Sequence, residues 1–539
     1  MNRTALTILF ALIAVCGYSQ TAYDALMLSE NDYEGTARTA AMGNAFTALG
    51  GDLGAVTINP ASSAVSRYSQ ITVTPGLSFI ASTASGVSPY QNGDLPYFEK
   101  KMKSSQTRFD LPNIGVSMNI DRGMKYGIKN LSFGFIVNKT ASYDQTVYAN
   151  GTNNTTSFLG QMAYDSSINK DSPTDLGADN AFDIMPWKNV IGYKTGMIDP
   201  FNDFYVGATE KAYDDGTAFL AGEIDQTYGR EIRGSKYEYL LNFSMNISDW
   251  LFIGANFSLH SISYSYNEYI RENAIDANNF KIEYKDASDN IVATKYFNSM
   301  KYASEYNFSG LGYSAKIGFI VLPFKGFRVG AALQTPTSFT IDEGWEDRGE
   351  TAFSGPDGGK YSKTSPYGEN SWTFRSPLRA NFGVAYTFGK MGLVSADYEL
   401  SDYRNIRYKS SEYTDRTTLE EINSQMKASH GVGHNFRFGA EFKPVAQLAL
   451  RAGYNMSALQ DKFTHKASLG LGFASGKSFF ADIACVRAFI PDEYFMPYDD
   501  YVFKKNAEGG FDVDPNYYAP EILIKSSLWK VVLTLGFRF

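Results

Sequence analysis

The sequence predicts an all-β transmembrane barrel of fourteen antiparallel strands, with a short N-terminal plug, or hatch, segment in its lumen. Three observations predict it. Runs of strictly alternating apolar and polar residues recur along the chain up to Phe539, the connections between them alternate short and long, and after the N-terminal leader there is no continuous apolar run of about 18 residues.

The chain begins with what reads as a secretory signal. Arg3 is its positive region, residues 5–15 are its apolar stretch, and Gly17-Tyr18-Ser19 puts small residues at −3 and −1. This predicts a signal peptide over residues 1–19 and a mature start at Gln20. Cys16 invites a lipoprotein site, but Val15 stands where such a site needs a small residue. Cys485 is then the single cysteine of the mature chain, so no intramolecular disulfide can form. The remaining composition fits an exported β-structure. Among 539 residues there are 37 Tyr, 39 Phe and 48 Gly against 2 Cys and 4 His, which suits tight turns and aromatic rims. A formal net charge of −8 excludes a generally basic nucleic-acid binder.

Residues 20–66 are the expected plug, and the stretch 35–64 is rich in small side chains. The run from Arg38 to Leu49 predicts a short helix stopped by Gly50-Gly51. Asn59 must then leave helical geometry because Pro60 follows it.

The barrel is expected over residues 67–539. Alternation places strands near 69–82, 107–121, 128–143, 234–249, 251–271, 302–322 and 326–341, then near 371–388, 391–407, 430–443, 446–459, 463–474, 478–490 and 528–539. The last is the clearest: Trp529, Val531, Leu533, Leu535, Phe537 and Phe539 share one face. In the third strand Phe133, Phe135 and Val137 can face lipid, and the sequence shows no kink there. Connections after even-numbered strands are short, around Arg122-Gly123, Ser248-Asp249, Pro323-Phe324, Gly389-Lys390, Lys443-Pro444 and Ser475-Gly476. Those after odd-numbered strands are mostly long and polar, residues 144–233 being the longest, and they read as solvated turns. Short periplasmic turns, long outer loops and an even strand count are the rules of bacterial outer-membrane barrels. They put the chain in the cell outer membrane of a Gram-negative bacterium with both termini periplasmic. A soluble propeller would show a fixed-period repeat, and none is present.

The plug stretch resembles the FadL/TodX family of outer-membrane transport proteins for hydrophobic compounds. Gly35, Arg38, Met42, Gly43, Ala45, Phe46, Asp52 and Asn59-Pro60-Ala61 carry the resemblance. The chain departs from the family in Gly50-Gly51-Asp52, where many members have paired acids, and in Ser62-Ser63 after Ala61, where glycine is common. The resemblance implies a passive transporter that captures hydrophobic or amphipathic molecules, such as long-chain fatty acids, at its outer loops. Cargo would pass to an internal apolar pocket and leave sideways through the wall beside a kinked strand. A terminal aromatic such as Phe539, with Phe537, resembles the signal read by barrel-assembly machinery. The same fold also resembles a surface attachment barrel of some secretion systems, which would need outer loops shaped for a protein partner. A TonB-dependent receptor needs a far larger plug, and an open porin needs none.

Alternation turns Arg379, Asp397, Glu399, Arg437, Glu441, Arg451, Lys530 and Arg538 into the lumen. They form either a clamp for an anionic head group or a mutually neutralising network holding plug to barrel, since buried charges persist when paired. His430 and His434 have metal-ligand spacing but lie among glycines without a carboxylate or cysteine cluster, so no metal is predicted. His260 faces the lumen beside Asn256 and Ser258. No nucleophile is placed against an oriented base, so no enzyme activity and no cofactor are predicted. The expected partners are a hydrophobic small-molecule ligand, outer-membrane lipid and the barrel-assembly machinery, with the outer loops as the place for any protein partner.

Overall fold

The computed structural model describes residues 22–87, 98–213, 217–286, 288, 290–409, 413–459, 462–476, 478–499 and 519–539. The expected signal peptide and Gln20 lie outside the described residues. Among these residues fourteen strands form one antiparallel wall. The first five are β1 (Gln70–Val87), β2 (Met102–Asp121), β3 (Ile128–Ser142, resumed as Gln145–Asn153), β4 (Ile224–Ile247) and β5 (Leu251–Ala274). Next come β6 (Ile291–Phe324), β7 (Phe327–Gln334 and Ser338–Ser354), β8 (Gly368–Arg375 and Arg379–Phe388) and β9 (Gly392–Asp402 and Arg407–Lys409). The last five are β10 (Val432–Val445), β11 (Leu448–Leu459), β12 (Lys462–Ser475), β13 (Phe479–Phe489 and Glu493–Phe495) and β14 (Glu521–Arg538). Each pairs with the next, and β14 returns to β1 with Arg538 opposite Gln70, so the sheet is closed.

Closure decides how the faces are used. On β1, Ile71, Val73, Leu77 and Phe79 are exposed on the outside, while Gln70, Thr72, Thr74 and Ser78 are buried within. On β14, Trp529, Leu533, Leu535 and Phe537 are exposed and Thr534 is buried. An apolar exterior on a wall with no free edge is the form in which β-structure crosses a bilayer. Among the described residues no helix is long and apolar enough to do so. The short turns gather at one end. Gly326 and Gly389 turn the chain there with φ of 89° and 59°, a region in which a Cβ is strained.

The N-terminal residues run inside the barrel as α1 (Ala22–Ser29), α2 (Ala37–Ala41), a 3-10 turn (Gly54–Thr57) and α3 (Ser62–Val65). The expected helix from Arg38 to Leu49 is cut short at Ala41, because Gly43 and Asn44 take positive φ. Phe539 lies at the short-turn end, donating its N–H to the Ser69 carbonyl. The described chain begins with α1, which packs in the lumen beside a helix of the β9–β10 connection, and the N-terminus itself lies outside the described residues.

The longest connection is also not the solvated loop that its polar composition suggests. Residues 154–213 and 217–223 fold into a cap with α4 (Phe158–Asn169), α5 (Pro173–Gly177), α6 (Ala181–Ile184) and α7 (Trp187–Lys194). Ser157 caps α4 by accepting from Gly160 N, and Lys170 ends it in the left-handed region with φ 56°. Leu159, Met162, Val190, Ile191 and Met197 are fully buried in a core shared with Ile270, Phe297 and Met300 of the strand ends. Each helix is too short for its apolar spacing to stand out in sequence. Asp199-Pro200-Phe201 belongs to a short hairpin here, and the Tyr498 side of the Tyr498-Asp499-Asp500-Tyr501 run packs into the same core, Asp500 and Tyr501 lying outside the described residues.

Replacing outward Leu533 by Arg tests the face assignment. It is expected to cost about 2–4 kcal/mol near the membrane midplane, measured as a lowered urea midpoint of the barrel refolded into lipid vesicles, with little change for Lys525→Arg near the long-loop end.

Candidate functional site

The luminal segment meets the wall through missing side chains. Inward-facing Gly254, Gly318, Gly330, Gly383, Gly439 and Gly453 lie on β5, β6, β7, β8, β10 and β11. They pair across strands as Gly254 with Gly318, Gly330 with Gly383 and Gly439 with Gly453. A Cβ at these positions would strike Pro60, Asn59, Thr47 or the Met42-Gly43 backbone, and one at Gly470 would strike Ala41. Gly43 returns the relation, since its own Cβ would stand 2.8 Å from the Tyr454 backbone. Close backbone approach is what glycine permits, and here it forms a collar around the segment.

Polar side chains complete the seat. Asn59 donates from Nδ2 to Thr47 O at 2.7 Å and Phe319 O at 3.1 Å, while its Oδ1 accepts from Ala61 N at 3.0 Å. Asn242 Nδ2 donates to Pro60 O at 2.9 Å and Asn256 Nδ2 to Val56 O at 2.8 Å. Asp52 ties two parts of the segment together, accepting from Thr36 Oγ1 at 2.6 Å and Gly54 N at 2.9 Å. Met42 and Phe46 are fully buried with Leu49 and Ile58, Ala45 is buried beside them, and Arg38 lies 5.4 Å above the Phe46 ring. Gly35, with φ 39°, precedes the Thr36 cap of α2. All the plug-motif residues read from the sequence thus converge on one luminal layer.

Charged residues ring that layer. Arg38 Nε and Arg451 Nε both donate to Glu441 Oε2, at 3.1 and 2.7 Å, and Arg451 Nη1 reaches Asp482 Oδ1 at 2.5 Å. Arg379 and Arg437 share Glu399 at 3.0 and 3.2 Å. Asp397 Oδ2 accepts from Thr47 N at 2.7 Å, and Lys530 pairs with Glu34. Arg538 stands apart from these, its guanidinium 4.4 Å from the Phe480 ring. Sequence reading missed Glu34, Asp110, Lys139, Lys236 and Lys316, which are buried or partly buried on the luminal side. Tyr33 sits among them under Arg437, and burial, with Glu399 adding to it, raises its phenol well above the usual range. His434 is held by Tyr398 at 2.8 Å, and His260 by Ser314 at 2.8 Å.

Above the collar, toward the long loops, the lumen is filled by a packed apolar cluster. Ile262, Phe308, Ile341, Trp372, Phe374 and Tyr408 are its buried wall residues. Tyr264 stacks on Phe308 at 4.8 Å, and Leu419 and Met426 of α8 (Tyr413–Ser429) close it from the β9–β10 connection. The helix α1 joins it through Ala25 and Leu28. Lys236 Nζ donates to Leu28 O at 3.0 Å and Arg379 to Ser29 O, holding that helix by its C-terminal carbonyls.

Beside this cluster the wall ladder lapses. β2 and β3 are paired from Asp121–Asn130 up to Asn113–Asn138 and no further. The next residue of β2 is Pro112, which has no N–H to donate. On β3 the register slips between Lys139 and Ala141 and the strand breaks before Gln145, so a kink is present that the sequence did not reveal. The freed β3 carbonyls turn to the luminal segment: Asp32 N donates to Thr140 O at 2.7 Å and Glu34 N to Lys139 O at 2.9 Å. Side chains span the gap, Lys139 reaching Asp110 at 2.6 Å and Arg108 reaching Asp144 at 3.6 Å. Over it lies a polar cleft of about 360 Å³ with Arg108, Thr146, Tyr148, Glu231 and Arg233 on its walls.

No family model matches the chain, and no curated protein matches it. Solved structures do resemble it. A FadL homologue of Pseudomonas aeruginosa is 12% identical, with 94% of this chain and 98% of that one covered and a TM-score of 0.48. The toluene transporter TbuX of Ralstonia pickettii is 13% identical over 94% and 99%, with a TM-score of 0.46. The toluene transporter TodX of Pseudomonas putida is 13% identical over 94% and 98%, also at 0.46. The barrel itself is established by the strand pairing of this chain.

The collar makes one position decisive. Gly453→Ala is expected to leave a heat-modifiable barrel but unseat the luminal segment, overpacking costing about 1–3 kcal/mol, read as faster protease cleavage within residues 22–66.

Proposed function

We propose that this chain is an outer-membrane channel for passive uptake of hydrophobic or amphipathic molecules, long-chain fatty acids or compounds like them. The observation that carries the reading is an apolar cluster inside a barrel, floored by a tightly seated segment and flanked by a lapse in the wall ladder. In this reading the short turns face the periplasm of a Gram-negative cell, and residues 20–66 are the plug. Cargo enters past the long loops and takes the place of α1 among Phe308, Ile341 and Phe374. It then leaves sideways between β2 and β3. An aqueous exit would expose an apolar tail to water, whereas a lateral one hands it to lipid, so the transfer runs downhill without an energy source. The Lys139–Asp110 and Arg108–Asp144 pairs are the closure of that exit. The polar cleft beside them suits the head of an amphipathic cargo. The network around Glu399 and Glu441 holds the plug in place, and Phe537 and Phe539 serve barrel assembly. No catalytic residue, cofactor or metal takes part.

A second reading, a surface attachment barrel for exported proteins, is favoured by the folded cap, on which Ile168, Ile184 and Phe219 are exposed. Native mass spectrometry of the gently extracted barrel separates the two. A retained apolar ligand supports uptake, and a stoichiometric protein partner with no ligand supports attachment.

The exit has a direct test. In a Cys485→Ser background, Asp110→Cys and Lys139→Cys joined by a short bismaleimide are expected to cut uptake of labelled oleate at least about tenfold, a barrier change of about 1.4 kcal/mol. Uptake that is unchanged by the bridge sinks the β2–β3 route. Asn59→Ala with Pro60→Gly is expected to leave the barrel assembled and lower uptake of hydrophobic substrates. Unchanged uptake across a substrate panel would remove the plug motif from the mechanism.

A further inference from the structure

The outer, lipid-facing wall carries a groove that uptake does not use. It encloses about 550 Å³ across β8 to β11, with Tyr386, Phe438 and Tyr454 as walls and Ala396, Ala440 and Ala452 along its bed. Register explains the trough. Ala440 lies opposite Val394 and Ala452, and Ala396 lies opposite Val384 and Phe438, so small residues adjoin across neighbouring strands. One strand further on, Leu469 and Leu471 fill the same outward rows, 67% and 51% exposed. The inner side of the bed is sealed by Met42 and Gly43 against Gly439 and Gly453, so the groove opens only outward.

Its short-turn end is basic. Lys325 precedes Phe327, another groove residue, by two positions, and Lys390 lies in the turn between Tyr386 and Val394. The turns at 323–327, 388–392 and 443–448 contain no Asp or Glu. Lys325 and Lys390 are exposed and make no ion pair among the described residues. Lys443 lies on the inner face with Glu441, 3.5 Å away, and is not part of this end. A trough lined by apolar side chains and ending in exposed ammonium groups is complementary to an anionic amphiphile lying along the wall.

We propose that this groove binds one anionic diacyl phospholipid of the leaflet on the short-turn side. An acyl chain lies over Ala396 and Ala440, and the phosphate sits between Lys325 and Lys390. The proposal rests on the barrel crossing a membrane and is independent of uptake.

The test reconstitutes the full chain with equal amounts of phosphatidylglycerol and phosphatidylethanolamine, then counts retained lipids by native mass spectrometry. One retained phosphatidylglycerol per barrel is expected, favoured over phosphatidylethanolamine by about tenfold. Ala396→Leu with Ala440→Leu should abolish retention of both lipids. Lys325→Gln with Lys390→Gln should leave retention but erase the preference. Heat-modifiability on gels confirms that each variant is folded. Equal retention of the two lipids by the unaltered chain, or retention untouched by the leucine variant, overturns the proposal. So does efficient cross-linking of two chains through Ala440→Cys in the Cys485→Ser background, which would give the groove to a second copy.

Discussion

Every backbone N–H and C=O in a lipid-embedded wall must find a partner within the protein, and the structure is organised around that constraint. It closes the sheet from β14 to β1 and leaves no edge. It also makes the lapse between β2 and β3 informative. Pro112 removes a donor, the ladder stops beside it, and Thr140 and Lys139 take their hydrogen bonds from Asp32 and Glu34 of the luminal segment instead. The kinked strand and the segment inside the barrel are therefore one arrangement, each supplying the groups that the other lacks.

Packing of the floor follows from small residues on both partners. The inward glycines of six strands remove the side chains that would keep the segment away, and Gly43, Ala41 and Ala61 do the same from the segment's side. With no side chains between them, the backbones come close enough for Asn59 to bridge its own loop and the wall. Large apolar residues occupy the next level up, where Ile262, Phe308 and Phe374 surround α1. The lumen is thus graded from polar at the collar to apolar beneath the long loops.

The buried charges match this gradation. Arg38, Arg451 and Glu441 join segment to wall at the collar, while Arg379, Arg437 and Glu399 lie between collar and apolar cluster. Such groups carry a desolvation penalty of several kcal/mol each unless paired. Their pairing across elements distant in sequence ties the register of the segment to the strands around it.

The period-two alternation determined the barrel, its strand number and the inward or outward sense of residues such as Leu533 and Arg451, because a strand's faces follow from its own sequence. The short turns were equally legible from Gly389-Lys390 and its counterparts, since turn chemistry is local. The same small-residue motif marked the segment from Gly35 to Ala61, although the glycines that receive it read only as weak strand positions. Only the tertiary structure decided that those glycines form a collar, that the register of β3 slips opposite Pro112, that the described residues of the longest connection fold as a cap and that α1 packs inside the barrel. Each of these depends on contacts between residues far apart in the chain, where the partner of a backbone group or a missing side chain is chosen by geometry that no local pattern encodes.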